Sequence, residues 1–385
     1  MIKLSRYNCT GCSACAQSCP KKCITMEPDI EGFLIPTVHK GCVECHLCEK
    51  VCPELNMKQE SEFSLRTFIG YNSNEKIRSI SSSGGVFSLL AERILQEGGV
   101  VFGAAFDKEF NVIHQIVEGE DTAERFYGSK YVQSTIGTTY IDAERYLKEN
   151  RIVLFSGTPC QIRGLKNFLR EPYDNLIAID VLCHGVVSSE IWQAYLNEKA
   201  HEYGSAVKQI SFRQKDDGWK KYALKICFEN MQEYVKEHHN DTYMQFFLNN
   251  VALRQSCYRC SAKKDGSCAD LTIGDAWGIE KYAPEMNDDK GTSLIIVRSE
   301  KGLNLLSGIK AKMIVQEGKP EDLLERHPEI SIPCNPAAMR PSFYRKLKKG
   351  YSIREMKRLT SRPTKVERLQ NRIYRVIDNY KQRCK

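Results

Sequence analysis

Apolar and polar positions are patterned most legibly between Ser81 and Leu196. After Ser81-Ser82-Ser83-Gly84-Gly85, the residues Phe87, Leu90, Ala91, Ile94 and Leu95 recur on one helical face, and Gly98-Gly99 stops the helix. Val100 to Phe106 follows as an apolar run of strand length. Ile152 to Phe155 is a second short strand, which turns through Ser156-Gly157-Thr158-Pro159-Cys160 into a helix from Gln161 to about Leu169. Leu176 to Leu182 repeats the design, with the turn Cys183-His184-Gly185 and a helix from about Ser189 carrying Ile191, Trp192, Tyr195 and Leu196. Two strand–turn–helix units in succession predict parallel strands joined by crossover helices. Each sets a cysteine directly after a strand, on the carboxyl edge along which open α/β sheets bind ligands. Cys160 and Cys183 are therefore expected to be neighbours in space.

The flanks are read more coarsely. Asp241 to Leu253 reads as a helix that ends before Cys257-x2-Cys260, and Leu271–Asp275 and Leu294–Val297 read as strands. Glu54 to about Arg66 is polar and aperiodic, the pattern of a linker. Near the C-terminus, Val366, Leu369, Ile373, Val376, Ile377 and Tyr380 recur at helical spacing and predict a helix with an apolar face to bury.

Composition refines this only in places. A chain of 385 residues, 42% hydrophobic and 27% charged, has room for two or three domains of an ordinary soluble globular protein. No apolar run approaches the roughly 18 residues that cross a bilayer, so no membrane span is expected. Charge is uneven. The net +8 of the whole chain conceals sixteen Lys and Arg against three Asp and Glu from Met339 onward, a local +13 that leaves −5 for the rest. Such a tail attracts nucleic acid, acidic lipid or an acidic protein. Its apolar stripe favours docking on its own body or on a second subunit, and nucleic acid is not the expected partner.

Seventeen cysteines change the picture most. Eight of them fall in two identical arrays, Cys9-x2-Cys12-x2-Cys15-x3-Cys19-Pro20 and Cys42-x2-Cys45-x2-Cys48-x3-Cys52-Pro53. This is the ligand pattern of the bacterial two-cluster ferredoxin, in which the fourth cysteine of each run ligates the other cluster. Cys9, Cys12, Cys15 and Cys52 are assigned to one [4Fe–4S] cluster, and Cys42, Cys45, Cys48 and Cys19 to the second. No apolar export segment precedes Cys9, which argues against a disulfide framework, and zinc has no use for the Cys-Pro closure. Free thiolates of this kind suit a reducing compartment, so a cytoplasmic protein is expected.

A second cysteine set is less determined. Cys257-x2-Cys260 has the geometry that clusters and zinc both use. Cys160 and Cys183 would complete a third [4Fe–4S] site, while Cys268 is a rival fourth ligand that also fits zinc. Cys23, Cys227, Cys334 and Cys384 stand alone and read as structural or incidental. No G-x-G-x-x-G follows the first α/β strand and there is no P-loop motif. Glycine-rich turns nevertheless open two helices, at Ser83-Gly84-Gly85 and Ser156-Gly157-Thr158, where free N–H groups suit a phosphate; an ordinary N-cap explains them as well. Lys130 would add positive charge near such a group. Phe212-Arg213-Gln214-Lys215-x3-Trp219 sets cations beside an aromatic, lining either a flavin or an anionic substrate, or making a surface cation–π cluster.

Together, Ser82-Ser83-Gly84-Gly85, the run Gly128 to Ser134, the run Phe155 to Gln161, Cys183-His184-Gly185 and the run Ile273 to Gly278 resemble the coenzyme F420 hydrogenase/dehydrogenase beta-subunit family, here behind a ferredoxin domain. The resemblance covers about residues 1–330. It implies a third cluster on Cys160, Cys183, Cys257 and Cys260, and a flavin, FAD or FMN, near Ser83, Gly84, Gly85, Lys130, Gly157 and Thr158. The expected fold combines α+β and α/β: a ferredoxin domain at 1–58, a mixed α/β flavin-binding body made of family-like N- and C-terminal domains at 67–170 and 171–335, and a basic helical tail at 336–385. The expected activity is that of an iron–sulfur flavoprotein oxidoreductase working between a redox protein such as ferredoxin and a small-molecule substrate, as a homo-oligomer or as part of a larger complex. A non-catalytic electron-transfer subunit is the alternative.

Overall fold

The computed structural model describes residues 2, 4–56, 63–264, 266–325 and 327–360. Residues up to Asn56 form a lobe around one antiparallel pair, β1 (Ile24–Pro28) and β2 (Leu34–Val38), with Ile24 opposite Val38. Two one-turn helices, Ala14–Gln17 and Leu47–Lys50, flank the pair. Each is entered through a residue in the left-handed region, Ser13 and His46, so the chain bends sharply between successive cysteines of each array.

The body is built on a larger sheet. β3 (Arg66–Asn72), β4 (Val100–Phe106), β5 (Val112–Glu118), β6 (Val153–Gly157) and β7 (Leu176–Val181) precede a separate three-stranded antiparallel sheet of β8 (Val207–Gln214), β9 (Ala223–Phe228) and β10 (Glu233–Glu237). β11 (Leu271–Asp275), β12 (Ser293–Val297) and β13 (Met313–Gly318) then return to the first sheet, whose order is β13-β3-β12-β11-β7-β6-β4-β5. The expected parallel strands form its centre: β4, β6, β7 and β11 run the same way, with Phe155 opposite Ala178 and Gly157 opposite Asp180. The outer pairings are antiparallel. Strands from 67–170 and from 171–335 thus lie side by side in one sheet.

This order aligns the ends of β3, β4, β6, β7 and β11 with the starts of β5, β12 and β13. The turns Ser83–Gly85, Ser156–Cys160 and Cys183–Gly185 and the run Ile273 to Gly278 lie along or just beyond that edge. The helix Val86–Gln96 buries Leu89, Leu90 and Ile94 on one face of the sheet, and the helix Pro159–Leu169 buries Ile162 and Leu165 on the other. The lobe is part of the same packing. Cys12, Ala14 and Val51 share a core with Ile162 and Leu165, and Phe33 from the β1–β2 turn packs with Val187 and Ile191.

Two expectations shorten. The helix read from Asp241 to Leu253 spans only Thr242–Leu248, capped by the Asp241 carboxylate, which accepts the Met244 N–H at 2.7 Å. Apolar residues continue beyond it because Val251, Ala252 and Leu253 are buried, with Leu253 bridged to Val187. The tail's stripe from Val366 to Tyr380 lies outside the described residues. Its described part carries the helix Arg340–Lys348, which buries Phe343 and Tyr344. Arg340 itself is buried and forks onto Glu31 of the lobe at 3.0 and 2.6 Å while donating to the Leu253 carbonyl at 2.9 Å. The segment read as a linker begins with a firm contact, since Glu54 accepts the Ser261 hydroxyl at 2.7 Å.

Candidate metal centres and the carboxyl edge

The lobe's cysteines surround two cavities. One, about 310 Å³ including its open mouth, is lined by Cys9, Cys12, Cys15 and Cys52. The other, about 380 Å³ on the same measure, is lined by Cys19, Cys42, Cys45 and Cys48. The crossed grouping expected from the doubled array is therefore the grouping in space. In the first cavity burial holds the Cys12 thiol well above its ordinary range and pushes Cys15 up to about 12, with the neighbouring thiols adding to both.

At the carboxyl edge, Cys160 and Cys183 come together with Cys257 and Cys260. Burial pushes Cys160 and Cys257 up to about 12, and Cys183 and Cys260 upward as well. Cys183 feels Cys257, Cys160 and Cys260, and Cys257 feels Cys260 and Cys160, so the four act on one another. As bare thiols, these buried sulfurs oppose each other's ionisation. A cationic iron core reverses that balance, because it stabilises the thiolates that burial disfavours. The donor set therefore fits a cluster. Among the described residues no three ligating side chains converge closely enough for a single ion, and the eight lobe cysteines are no exception. Sulfurs around a [4Fe–4S] cube stand on different irons and so lie farther apart.

The helix Pro159–Leu169 fixes Cys160. Thr158 donates its N–H to Gln161 Oε1 at 2.9 Å, and Gln161 Nε2 donates to Ser134 Oγ at 2.9 Å, which locks the helix start. One turn farther along the same face, Gly164 lies against the lobe. A Cβ there would stand 2.8 Å from Cys12 Cβ and 3.0 Å from its Sγ. Residues four apart on a helix are about 6 Å apart, so the first lobe cavity abuts the edge thiols.

Arg254 completes the joint. It is buried and donates to the carbonyls of Cys9 at 2.8 Å and Leu34 at 2.9 Å and to Gln133 Oε1 at 2.8 Å. Gln133 Nε2 donates to the Thr10 carbonyl at 2.9 Å, and the Arg254 carbonyl accepts the Cys257 N–H at 3.0 Å. One guanidinium thus ties the Cys9–Cys12 loop to the loop bearing Cys257 and Cys260.

The glycine turns divide in role. Gly84 is a glycine for its own neighbours: a Cβ would lie 2.5 Å from the Gly70 carbonyl and 2.8 Å from Ser293 N, and its N–H donates to Ser293 Oγ at 3.0 Å. Ser83 donates to the Thr292 carbonyl at 2.8 Å. These groups are engaged within the protein. Gly85, at φ +75°, caps the helix Val86–Gln96. At the other turn, the Thr158 hydroxyl sits 3.2 Å from Cys160 Sγ, so it serves the thiol. Lys130 and Gly157 nevertheless both lie near His114. Ser129 N donates to Ser82 Oγ at 2.6 Å, and Lys130 acts on His114, which a Cβ on Gly157 would approach to 3.6 Å. Burial lowers Lys130 to about 7, and its ammonium donates to the Arg125 carbonyl at 2.7 Å.

His114 was not legible as a site residue. It is buried, stacked on Phe155 at 5.3 Å, and its Nε2 donates to the Ser156 carbonyl at 2.9 Å. Burial lowers it to about 4, which keeps it neutral and leaves the buried Nδ1 without a partner. Its alternation with Val112 and Ile116 in β5 is the only signal the sequence offers. The Phe212–Trp219 segment lies over the end of β11. Arg213 Nη1 donates to Asp275 at 2.9 Å and to the Tyr131 hydroxyl at 3.0 Å, and Trp219 donates to Asp275 at 2.9 Å while stacking on Trp277 at 4.3 Å.

Two cysteines read as incidental stand beside the proposed ligand sets. Cys23 Sγ lies 3.4 Å from Cys19 Sγ and lines the second lobe cavity, and Cys334 Sγ reaches 4.0 Å from the Cys257 carbonyl. The charged groups acting on Cys268 are Lys166, Asp180 and Arg163, which sets it apart from the four edge thiols. Cys227 lies on β9 near Glu233, and Cys384 lies outside the described residues.

A dicluster lobe locked against a mixed α/β sheet whose edge gathers further thiols defines an iron–sulfur protein. Residues 8–56 match the family model described as 4Fe-4S dicluster domain, which supports two [4Fe–4S] clusters there. Residues 150–322 match the model for the C terminus of the coenzyme F420 hydrogenase/dehydrogenase beta subunit. The chain is thus similar to that beta-subunit family over residues 150–322, with a dicluster domain on the N-terminal side of the matched segment. One solved structure, "Xenon derivatization of the F420-reducing [NiFe] hydrogenase complex from Methanosarcina barkeri", superposes with a TM-score of 0.49 at 15% identity, covering 77% of this chain and 94% of that one. No curated protein matches. Among the described residues no helix is long and apolar enough to cross a membrane.

Proposed function

We propose that the protein is an iron–sulfur flavoprotein oxidoreductase exchanging electrons between a one-electron carrier protein and a small reducible molecule such as an F420-like deazaflavin. The observation that carries this reading is the joint at Gly164: lobe thiols on one side, Cys160 one helical turn away on the other. When bound, the clusters carry single electrons, and a flavin exchanges these for a hydride at the substrate. Cys160, Cys183, Cys257 and Cys260 would hold a third [4Fe–4S] cluster. Ser129, Lys130 and Gly157, around neutral His114, would hold the flavin, with Lys130 facing an anionic group and His114 Nδ1 offering an acceptor.

The rest of the chain holds these groups in place. Arg254 and Gln133 fix the spacing between lobe and edge. The Arg213–Asp275 pair and the stacked Trp219 and Trp277 pin the second sheet over the end of β11, which keeps water from that part of the edge. Combined iron, zinc and flavin analysis on anaerobically purified protein tests the reading. The expected result is about twelve irons, four per cluster, with one flavin and no zinc. About eight irons removes the third cluster, and absence of flavin overturns the enzyme. A non-catalytic electron-transfer subunit is the second reading, favoured by the +13 balance of the segment from Met339 onward as a docking element. It predicts full cluster content without flavin.

A further inference from the structure

The two lobe cavities have different surroundings. The one lined by Cys9, Cys12, Cys15 and Cys52 is closed in by the body, through Gly164, Arg254 and the Glu54–Ser261 bond. All four of those cysteines are buried. The second cavity has an exposed rim. Cys45 is exposed, and Val43 at its mouth is 56% exposed. Lys21 lines that mouth, Lys22 is exposed between the lining residues Lys21 and Cys23, and Lys40 is exposed two residues from the lining residues Val38 and Cys42. None of the three lysines forms an ion pair among the described residues. The acidic groups nearby are Glu44 and Glu49, and Glu49 is taken by His46 at 2.7 Å.

We infer that this outer mouth is the docking face for an acidic one-electron carrier protein. An exposed apolar residue over a redox centre, with Lys21, Lys22 and Lys40 on the same segments and unpaired among the described residues, meets the two needs of such an encounter. Charge complementarity steers a negative partner, and a small dry contact brings the centres close without holding them long. Each encounter moves one electron: the carrier loses or gains one and the outer centre gains or loses one, with no bond made. The inference rests on the proposed redox function for its purpose, but its test reads binding.

The probe is a purified, strongly acidic two-[4Fe–4S] ferredoxin, titrated onto the full chain at low salt by calorimetry. Wild-type protein is expected to bind it, with affinity falling as salt rises. The combined Lys21→Glu, Lys22→Glu, Lys40→Glu variant is expected to bind about tenfold more weakly or worse, consistent with like-charge juxtaposition. Its iron content and its bleaching by dithionite should be unchanged, which shows that the lobe still folds and loads. A control variant, Lys346→Glu, Lys348→Glu, Lys349→Glu on the C-terminal basic segment, should keep wild-type affinity. Absence of binding, binding that ignores the lobe reversal, or binding lost only in the control overturns the inference. None of these outcomes touches the iron and flavin count on which the redox function stands.

Discussion

The protein carries two kinds of cysteine set, and they are made in opposite ways. The lobe's eight lie between Cys9 and Cys52, on a chain that bends through its own left-handed turns and reaches both cavities unaided. The edge set takes Cys160 from the start of a helix, Cys183 from the end of β7, and Cys257 and Cys260 from a loop held by Arg254. The first set carries its scaffold in its spacing. The second exists only when a parallel sheet has brought three distant stretches to one edge. Lobe ligation should therefore survive damage that abolishes edge ligation.

The sharpest way to break that contrast is Cys160→Ser. It should remove about four of the expected twelve irons and leave the lobe's eight, as read by iron analysis and electron paramagnetic resonance. Unchanged iron would deny Cys160 its ligand role. Next in size is Arg340→Met, which removes the fork from buried Glu31 and leaves it the looser contact with Arg6 at 3.7 Å. Loss of one partner of such a pair costs about 3–5 kcal/mol, so chemical unfolding should shift strongly. Retention of lobe iron in that variant would show that the lobe needs the body for seating but not for loading. Gly84→Ala drives a Cβ into the Gly70 backbone. Overpacking of that kind costs about 1–3 kcal/mol, and edge iron should fall before lobe iron.

The smallest effect is a pH dependence. His114 sits at about 4 against 6.5 for the ordinary residue, so the unfolded chain binds the extra proton. Its contribution is complete above pH 6.5 and is lost as pH falls towards 4, at up to about 1.4 kcal/mol per pH unit. Urea midpoints between pH 7 and pH 4.5 should fall less steeply for His114→Gln than for wild type. Equal slopes would mean that His114 is not the buried neutral imidazole described.

What the sequence revealed follows the same division. The doubled array could be read, down to the crossed pairing, because cluster ligation is local and its spacing specific. β4, β6, β7 and β11 could be read because central parallel strands are unbroken apolar runs. β3, β8 and β13 could not. Val207–Gln214 and Met313–Gly318 bury only some of their residues and carry Lys, Gln and Glu between them, as strands with an exposed face do. Arg254 and Gln133 were invisible for another reason. They act on backbone carbonyls 245 and 123 residues away, and no periodicity marks a side chain that reaches so far. Ser83 and Gly84 misled in the opposite direction. A small-residue turn before a helix looks the same whether it admits a phosphate or a neighbouring strand.

The fork from Arg340 to Glu31 joins residues 309 positions apart. During synthesis the cysteine array leaves the ribosome long before the arginine that will seat it exists. At about 5–20 residues per second that interval lasts roughly 15–60 s. Within that interval the ties from Gln133, Arg254 and Ser261 to the lobe become available first, and the fork from Arg340 is the latest of them. The seat of the lobe is therefore finished by nearly the last stretch of the described chain to be made, well after the cysteines it steadies.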